Sequence, residues 1–180
     1  MKEPWTLPGV PWKTESAFYG WIRGILRKGW SRHPVKLEYI KQNRKRIPNP
    51  NVNGRVSEVW GMTCQQCGND FVQAQIEIDH LNPASSLRCK GDIQGFVERL
   101  LFITFDDIEA VCLDCHTIRT LSQKQGISLE RARAEKTAIR LQKEKQDVQW
   151  LKESGIIPAS NSAKRRVQIV EKLMEEKENE

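Results

Sequence analysis

Two C-x-x-C pairs, Cys64–Cys67 and Cys112–Cys115, constrain this chain more than any other feature of its sequence. Each pair suits a tight turn that aims both sulfurs at one point, and two pairs supply the four thiolates of a tetrahedral zinc. The gap of 44 residues between the pairs is longer than in an ordinary zinc ribbon, so a folded insertion is expected between them. A four-thiolate site is closed and therefore structural, and the metal would stabilise a centre too small to hold itself together. The rival reading is a redox C-x-x-C, but that motif normally occurs once, before a helix of a larger α/β domain. The start MKEPWTLPGVPWK has no apolar stretch of the kind a secretory leader needs, which argues against a disulfide framework for the five cysteines. The fifth, Cys89, reads as a small core residue.

At 180 residues, 38% hydrophobic and 29% charged, the chain suits one compact domain with extensions, or two small units. No apolar run of about 18 residues occurs, so no membrane span is expected and the cytoplasm is the default location. The net charge of +6 is unevenly spread. Residues 1–55 carry 12 basic against 3 acidic side chains, residues 56–120 carry 4 against 10, and residues 121–180 carry 13 against 10. An acidic centre between basic arms suits a cation site that its surroundings bring to a polyanion. Ordinary solvated helices are the plainer explanation of the basic N-terminal arm.

The periodicity predicts a mostly helical α+β chain in three parts: residues 1–55 as a basic arm with helices, 56–127 as the cysteine-bearing core, and 128–180 as a helical extension. A first helix should start at a Thr14 or Ser16 cap and run to about Lys28, with Phe18, Trp21, Ile22, Ile25 and Leu26 on its inward face. Core packing is the expected role of Trp21, while Trp5 and Trp12 suit packing and partner stacking equally. Pro34 should open a second helix, and Arg44-Lys45-Arg46 with PNPNVNG reads as a basic loop. FVQAQIEI reads as a strand ending at Asp79, residues 91–101 as a helix, and residues 108–111 as a short apolar segment leading into Cys112. A helix carrying His116 should follow; one long helix should run from a Ser128 cap to before Gly155, and a charged one from about Ser162.

Three histidines occur, at 33, 80 and 116, and two adjoin the cysteine framework. The segments TCQQCGNDF, IEIDHLNPASS and FDDIEAVCLDCHTIRT resemble, in order and spacing, the zinc-stapled branch of the HNH endonucleases, which have the ββα-metal fold. The outer segments GRVSEVWGMTC, ERLLF and NSAKRR are similar to small HNH proteins encoded by tailed phages. The resemblance implies a central ββα core stapled by Cys64, Cys67, Cys112 and Cys115 around Zn²⁺, with helical extensions on both sides. It also implies a metal-dependent DNA endonuclease, in the host cytoplasm if phage-encoded. His80 would be the general base, and Asp79 and His116 the ligands of a catalytic Mg²⁺ or Mn²⁺.

Phosphodiester hydrolysis needs an activated water and charge neutralisation on the phosphoryl and leaving oxygens, for which an imidazole and a hard divalent ion are suited. One position departs from the family pattern: Asp107 stands where the resemblance expects Asn, the residue that orients the base. A carboxylate there can accept a hydrogen bond or serve as a further metal ligand, but cannot donate as an amide does. Arg23, Arg27, Lys28, Arg32, Arg44, Lys45, Arg46, Lys164, Arg165 and Arg166 are the candidate DNA phosphate contacts. The other classes open to such a chain are a zinc-stabilised nucleic-acid-binding module without catalysis, a junction-resolving nuclease and a phage assembly protein.

Overall fold

The computed structural model describes residues 3–178 as an α+β protein, more than half helical, with two small sheets. It divides into two compact units, the first ending at Leu113 and the second beginning at Asp114. The helices at the basic N-terminal end belong to the same unit as the sheets.

In the first unit, the Thr14 side chain accepts a hydrogen bond from the Ala17 amide at 3.2 Å and caps α1 (Glu15–Ser31). The inward face of α1 is rotated from the expected one. Tyr19 is 4% exposed and joins Ile22, Leu26 and Trp30 against Leu87, Phe96 and Leu100, whereas Trp21 is 50% exposed. The helix chose the stripe that ends on Trp30, because α3 (Ile93–Leu101) presents Phe96 and Leu100 to it. Trp21 instead lies 5.1 Å from Trp12, which is also 5.1 Å from Phe18, while Trp5 packs at 5.4 Å from Phe18. The proline-rich N-terminal segment is therefore folded onto α1 through aromatic contacts, with a 3-10 turn at Pro4–Thr6. Pro34 sits in the first turn of α2 (Pro34–Asn43), where its missing N–H costs nothing.

The expected basic loop is a strand. β1 (Lys45–Pro48), β2 (Glu58–Thr63) and β3 (Asp70–Val72) form an antiparallel sheet in that order. Pro48 is tolerated because it ends an edge strand. Gly61 in β2 has no room for a side chain, since a Cβ there would meet Ile47 and the Phe71 carbonyl oxygen. The single strand expected from FVQAQIEI is broken by a 3-10 turn at Gln73–Gln75, where Gln-Ala-Gln offers neither β-branching nor alternation. β4 (Ile76–His80) then pairs antiparallel with β5 (Ile108–Cys112). The register sets Ile76 against Cys112, Ile78 against Ala110 and His80 against Ile108 on one face. That face packs with Tyr39 of α2 and Met62 of β2 into one core. Cys89, expected inside, is exposed at the start of a 3-10 turn.

The second unit holds α5 (Leu129–Lys143), α6 (Asp147–Glu153) and α7 (Ser162–Glu178), preceded by α4 (Leu113–Gln125), which continues directly from β5. Ser128 caps α5 by accepting from the Arg131 amide at 3.1 Å. The long helix expected to reach Gly155 is interrupted, because Lys145 adopts φ +59°, a left-handed conformation that ends the α-helical ladder. The break lets α6 fold back, so that Leu151 joins Ala134, Ala138, Leu141, Ile169 and Val170 in the core. Arg165 donates to Asp147 at 2.7 Å and to the Ala159 carbonyl, with side chains 18% and 7% exposed for the arginine and the aspartate. Arg166 pairs with Glu135 at 2.6 Å. Both arginines, expected from the sequence to touch DNA, pair with carboxylates inside this unit. Among the described residues, no helix is long and apolar enough to cross a membrane.

Removing one partner of a largely buried ion pair strands the other charge. Arg165→Ala should lower stability by about 2–3 kcal/mol, somewhat under the roughly 3–5 of full burial. Urea denaturation followed by circular dichroism measures it, and an unchanged midpoint would return Arg165 to the solvent-facing set.

Candidate metal centre and adjoining cleft

The turn after β2 is built around Cys64. Its amide donates to the Asn69 carbonyl at 2.8 Å, and its carbonyl accepts from Gly68 at 2.9 Å. Gly68 has φ +74°, which closes the turn at a position that disfavours any side chain. Gln65 donates to the Ala110 carbonyl at 2.9 Å, and Cys112 donates to the Cys64 sulfur at 3.3 Å. The first C-x-x-C turn is thereby fastened to β5, which leads into the second. The result is a cluster in which the sulfurs of Cys64, Cys67, Cys112 and Cys115 all lie within 4.8 Å of one another. Cys64, Cys112 and Cys115 are buried and Cys67 is exposed.

The donor set fits a zinc-type ion. Burial pushes the Cys64 thiol up, but the amides of Cys112, Cys67 and Gln66 directed at its sulfur outweigh this and bring its pKa down to about 7. An environment that favours thiolate over thiol is what a metal-binding sulfur needs. Both C-x-x-C pairs contribute to one four-sulfur group, which sets the arrangement apart from the solitary dithiol of a redox motif.

One strand away from the cluster, β4 delivers His80 to the hairpin's end. The ring is 8% exposed, lies 4.3 Å between centroids from Trp30, and places Nε2 3.0 Å from the Leu100 carbonyl. A carbonyl only accepts, so Nε2 is the donor in this contact, and whenever the ring is in its neutral form the lone pair lies on Nδ1. His80 lines a cleft of about 240 Å³ with Asn82, Glu98, Arg99, Phe102, Ile103 and Asp107.

Asp79 faces the other side of the strand, directly opposite Glu109, with Glu77 on the same face. Its Oδ1 accepts from the His80 amide at 3.0 Å, which turns the carboxylate toward the end of the strand. Lys36 of α2 brings its charge near Glu77 and Asp79. Among the described residues, the four cysteines are the one group of three or more His, Cys, Asp or Glu side chains placed to hold a single ion. His116 follows Cys115 in the first turn of α4.

Asp107 acts as an acceptor. Its Oδ2 takes the Thr104 amide at 2.7 Å and the Thr104 hydroxyl at 2.9 Å, and its backbone carbonyl takes the Leu81 amide at 2.9 Å. The amide and then the hydroxyl of Thr104, with the His80 charge adding to them, hold the Asp107 carboxyl below the usual carboxylate range. An acceptor is all this turn requires, so a carboxylate can hold the loop beside His80. Asp106 is exposed, and its amide joins the turn by donating to the Thr104 hydroxyl.

Two contributors are not marked in the sequence as site residues. Trp30 backs the His80 ring, and no local pattern singles it out. Arg99 brings a guanidinium to the cleft, where its Nε donates to the Ala84 carbonyl at 3.4 Å. A Cβ on Gly95 would lie 3.0 Å from Arg99 Nη1, so the glycine gives the guanidinium room to lie back along α3. That glycine inside an amphipathic helix was the available signal.

Among the expected DNA contacts, Arg27, Lys28, Arg32 and Lys164 are exposed and Arg23 is half-buried. Arg44 and Arg46 lie over the Trp60 ring at 4.4 and 5.3 Å, and Lys45 pairs with Asp70 at 2.8 Å. Comparison with family models, curated proteins and solved structures finds no match.

The purified protein should carry one zinc per chain by elemental analysis. Cys64→Ser should lose that zinc together with the cooperative thermal transition of the centre. A Cys64→Ser protein that melts like the wild type without zinc would remove the cluster's scaffolding role.

Proposed function

We propose that the protein is a metal-dependent endonuclease that hydrolyses phosphodiester bonds in DNA by the HNH mechanism. The observation that carries this reading is the state of His80, whose Nε2 proton is committed to Leu100 while the ring lines an open cleft with Arg99 and Asp107. A ring held in one tautomer, with its basic nitrogen defined, is prepared to take a proton from water. The order β4, long connection, β5, α4 supports the same reading, since it is strand, strand, helix with the cysteine cluster at the second strand's end.

In this mechanism Nδ1 of His80 removes the proton of the attacking water. Trp30 and the Leu100 carbonyl keep the ring from swinging, and Asp107 keeps the following loop in place through Leu81. Arg99 directs its guanidinium at a phosphoryl oxygen, where a planar donor fork is well matched. A divalent ion, Mg²⁺ or Mn²⁺, of the kind the resemblance assigns to Asp79 and His116, would supply charge neutralisation at the phosphoryl and leaving oxygens. Asp79 stands across β4 from His80, so that role asks its carboxylate to turn past the strand's end. A zinc ion held by Cys64, Cys67, Cys112 and Cys115 would take no part in the chemistry, because four sulfur ligands would leave it no open position.

Nicking of supercoiled plasmid, with Mg²⁺, Mn²⁺ or chelator, tests the reading. His80→Ala should lower the rate by at least about 100-fold while keeping the zinc content of the wild type. Undiminished nicking by that variant would remove His80 as the base, and no nicking by the wild type with either ion would leave a zinc-stabilised binding module.

A further inference from the structure

The second unit presents a charged surface that the nuclease reading leaves unused. Ala134, Ala138 and Leu141 of α5 turn one side of the helix into the core. Positions 133, 136, 137, 140, 143 and 144 recur at helical spacing, and together with Asp114, Thr117 and Ile118 of α4 they line a groove of about 530 Å³. Four of those α5 positions are cations: Arg133, Lys136, Arg140 and Lys143. The groove's own lining sets only Asp114 and Glu144 against them as carboxylates, so its wall is positive. The arginines of α7 differ in kind, since each faces a carboxylate of its own, Arg165 with Asp147 and Arg166 with Glu135.

We propose that this groove is a docking surface for the sugar-phosphate backbone of duplex DNA. Ten residues separate Arg133 from Lys143, about 15 Å along the helix at 1.5 Å per residue. One strand of a duplex presents a phosphate about every 3.4 Å of axis, so this row spans roughly four of them. Two of the four cations are guanidinium groups, which can take two phosphate oxygens at once. The Thr137 hydroxyl adds a donor of the type found at phosphate contacts. Such contacts position a duplex without reading its sequence. The choice of DNA rests on the proposed function; the preference for a regularly spaced polyanion rests on the groove alone.

The test measures binding without cleavage. Zinc-loaded full-length protein, with no added Mg²⁺ or Mn²⁺, is titrated against a fluorescein-labelled duplex of about 30 base pairs between about 50 and 200 mM salt. Each cation withdrawn from a phosphate should reduce the slope of log K against log salt by about 0.9, so Lys136→Ala/Arg140→Ala should reduce it by about 1.8. Over that salt range the double variant's affinity should then fall about 12-fold less than the wild type's. Lys124→Ala/Lys152→Ala, equal in charge removed but outside the groove, should leave the slope unchanged, and the melting curves of both variants should match the wild type.

Equal slope changes in the two double variants would reduce the effect to diffuse charge and overturn the proposal. So would an unchanged slope in Lys136→Ala/Arg140→Ala. Polyglutamate competing as well as duplex at equal charge would make the groove an acidic-protein site and overturn the choice of DNA. The plasmid assay separates this proposal from the nuclease reading: a reduced slope without nicking keeps the groove, and nicking with an unchanged slope keeps only the nuclease.

Discussion

Four sulfurs within 4.8 Å of one another tie together two turns that lie 48 residues apart from Cys64 to Cys112. Everything at the candidate site is hung from that tie. The turn at Cys64 ends β2 and the pair at Cys112 ends β5, so the cluster fixes where β5 runs and, through the ladder, where β4 ends. A two-stranded hairpin is marginal by itself in water, and this one is held by the cluster at one end and the Tyr39–Met62 core on one face. Removing water falls to packing, and a rigid frame would come from an ion shared by the four sulfurs.

The far end of the same hairpin is where polar precision is needed. His80 is held from three sides: Leu100 fixes a ring proton, Trp30 backs the ring, and Asp107 holds the loop that follows. The supporting groups come from α1, α3 and the turn before β5, which are far apart in the chain. The long connection between β4 and β5 is thus part of the site, since α3 supplies both the Leu100 carbonyl and Arg99.

What could be read in advance followed from short-range physics. The cysteine spacing gave the cluster, the Thr14 and Ser128 caps gave two helix starts, and Pro34 gave a third. The misreadings share a different cause. The face of α1 was settled by Phe96 and Leu100, some 70 residues on, and periodicity alone could not choose Tyr19 over Trp21. Lys145 carries no breaker signature, yet the fold-back of Leu151 onto the Ala134 face stabilised a left-handed turn there. Arg165 and Arg166 look like a solvent-facing basic cluster until Asp147 and Glu135 arrive from other helices.

Trp30 has a consequence beyond its own contact. It stands near the C-terminal end of α1 with Lys36 5.1 Å from its ring and His80 4.3 Å from it, so the indole joins the N-terminal helices to the tip of the hairpin. A fragment trimmed to the segment from β1 onward would retain all four clustered sulfurs and still lose the wall behind the His80 imidazole. The shortest segment that holds the sulfur cluster and the shortest that holds every contact of that ring are therefore different lengths of chain.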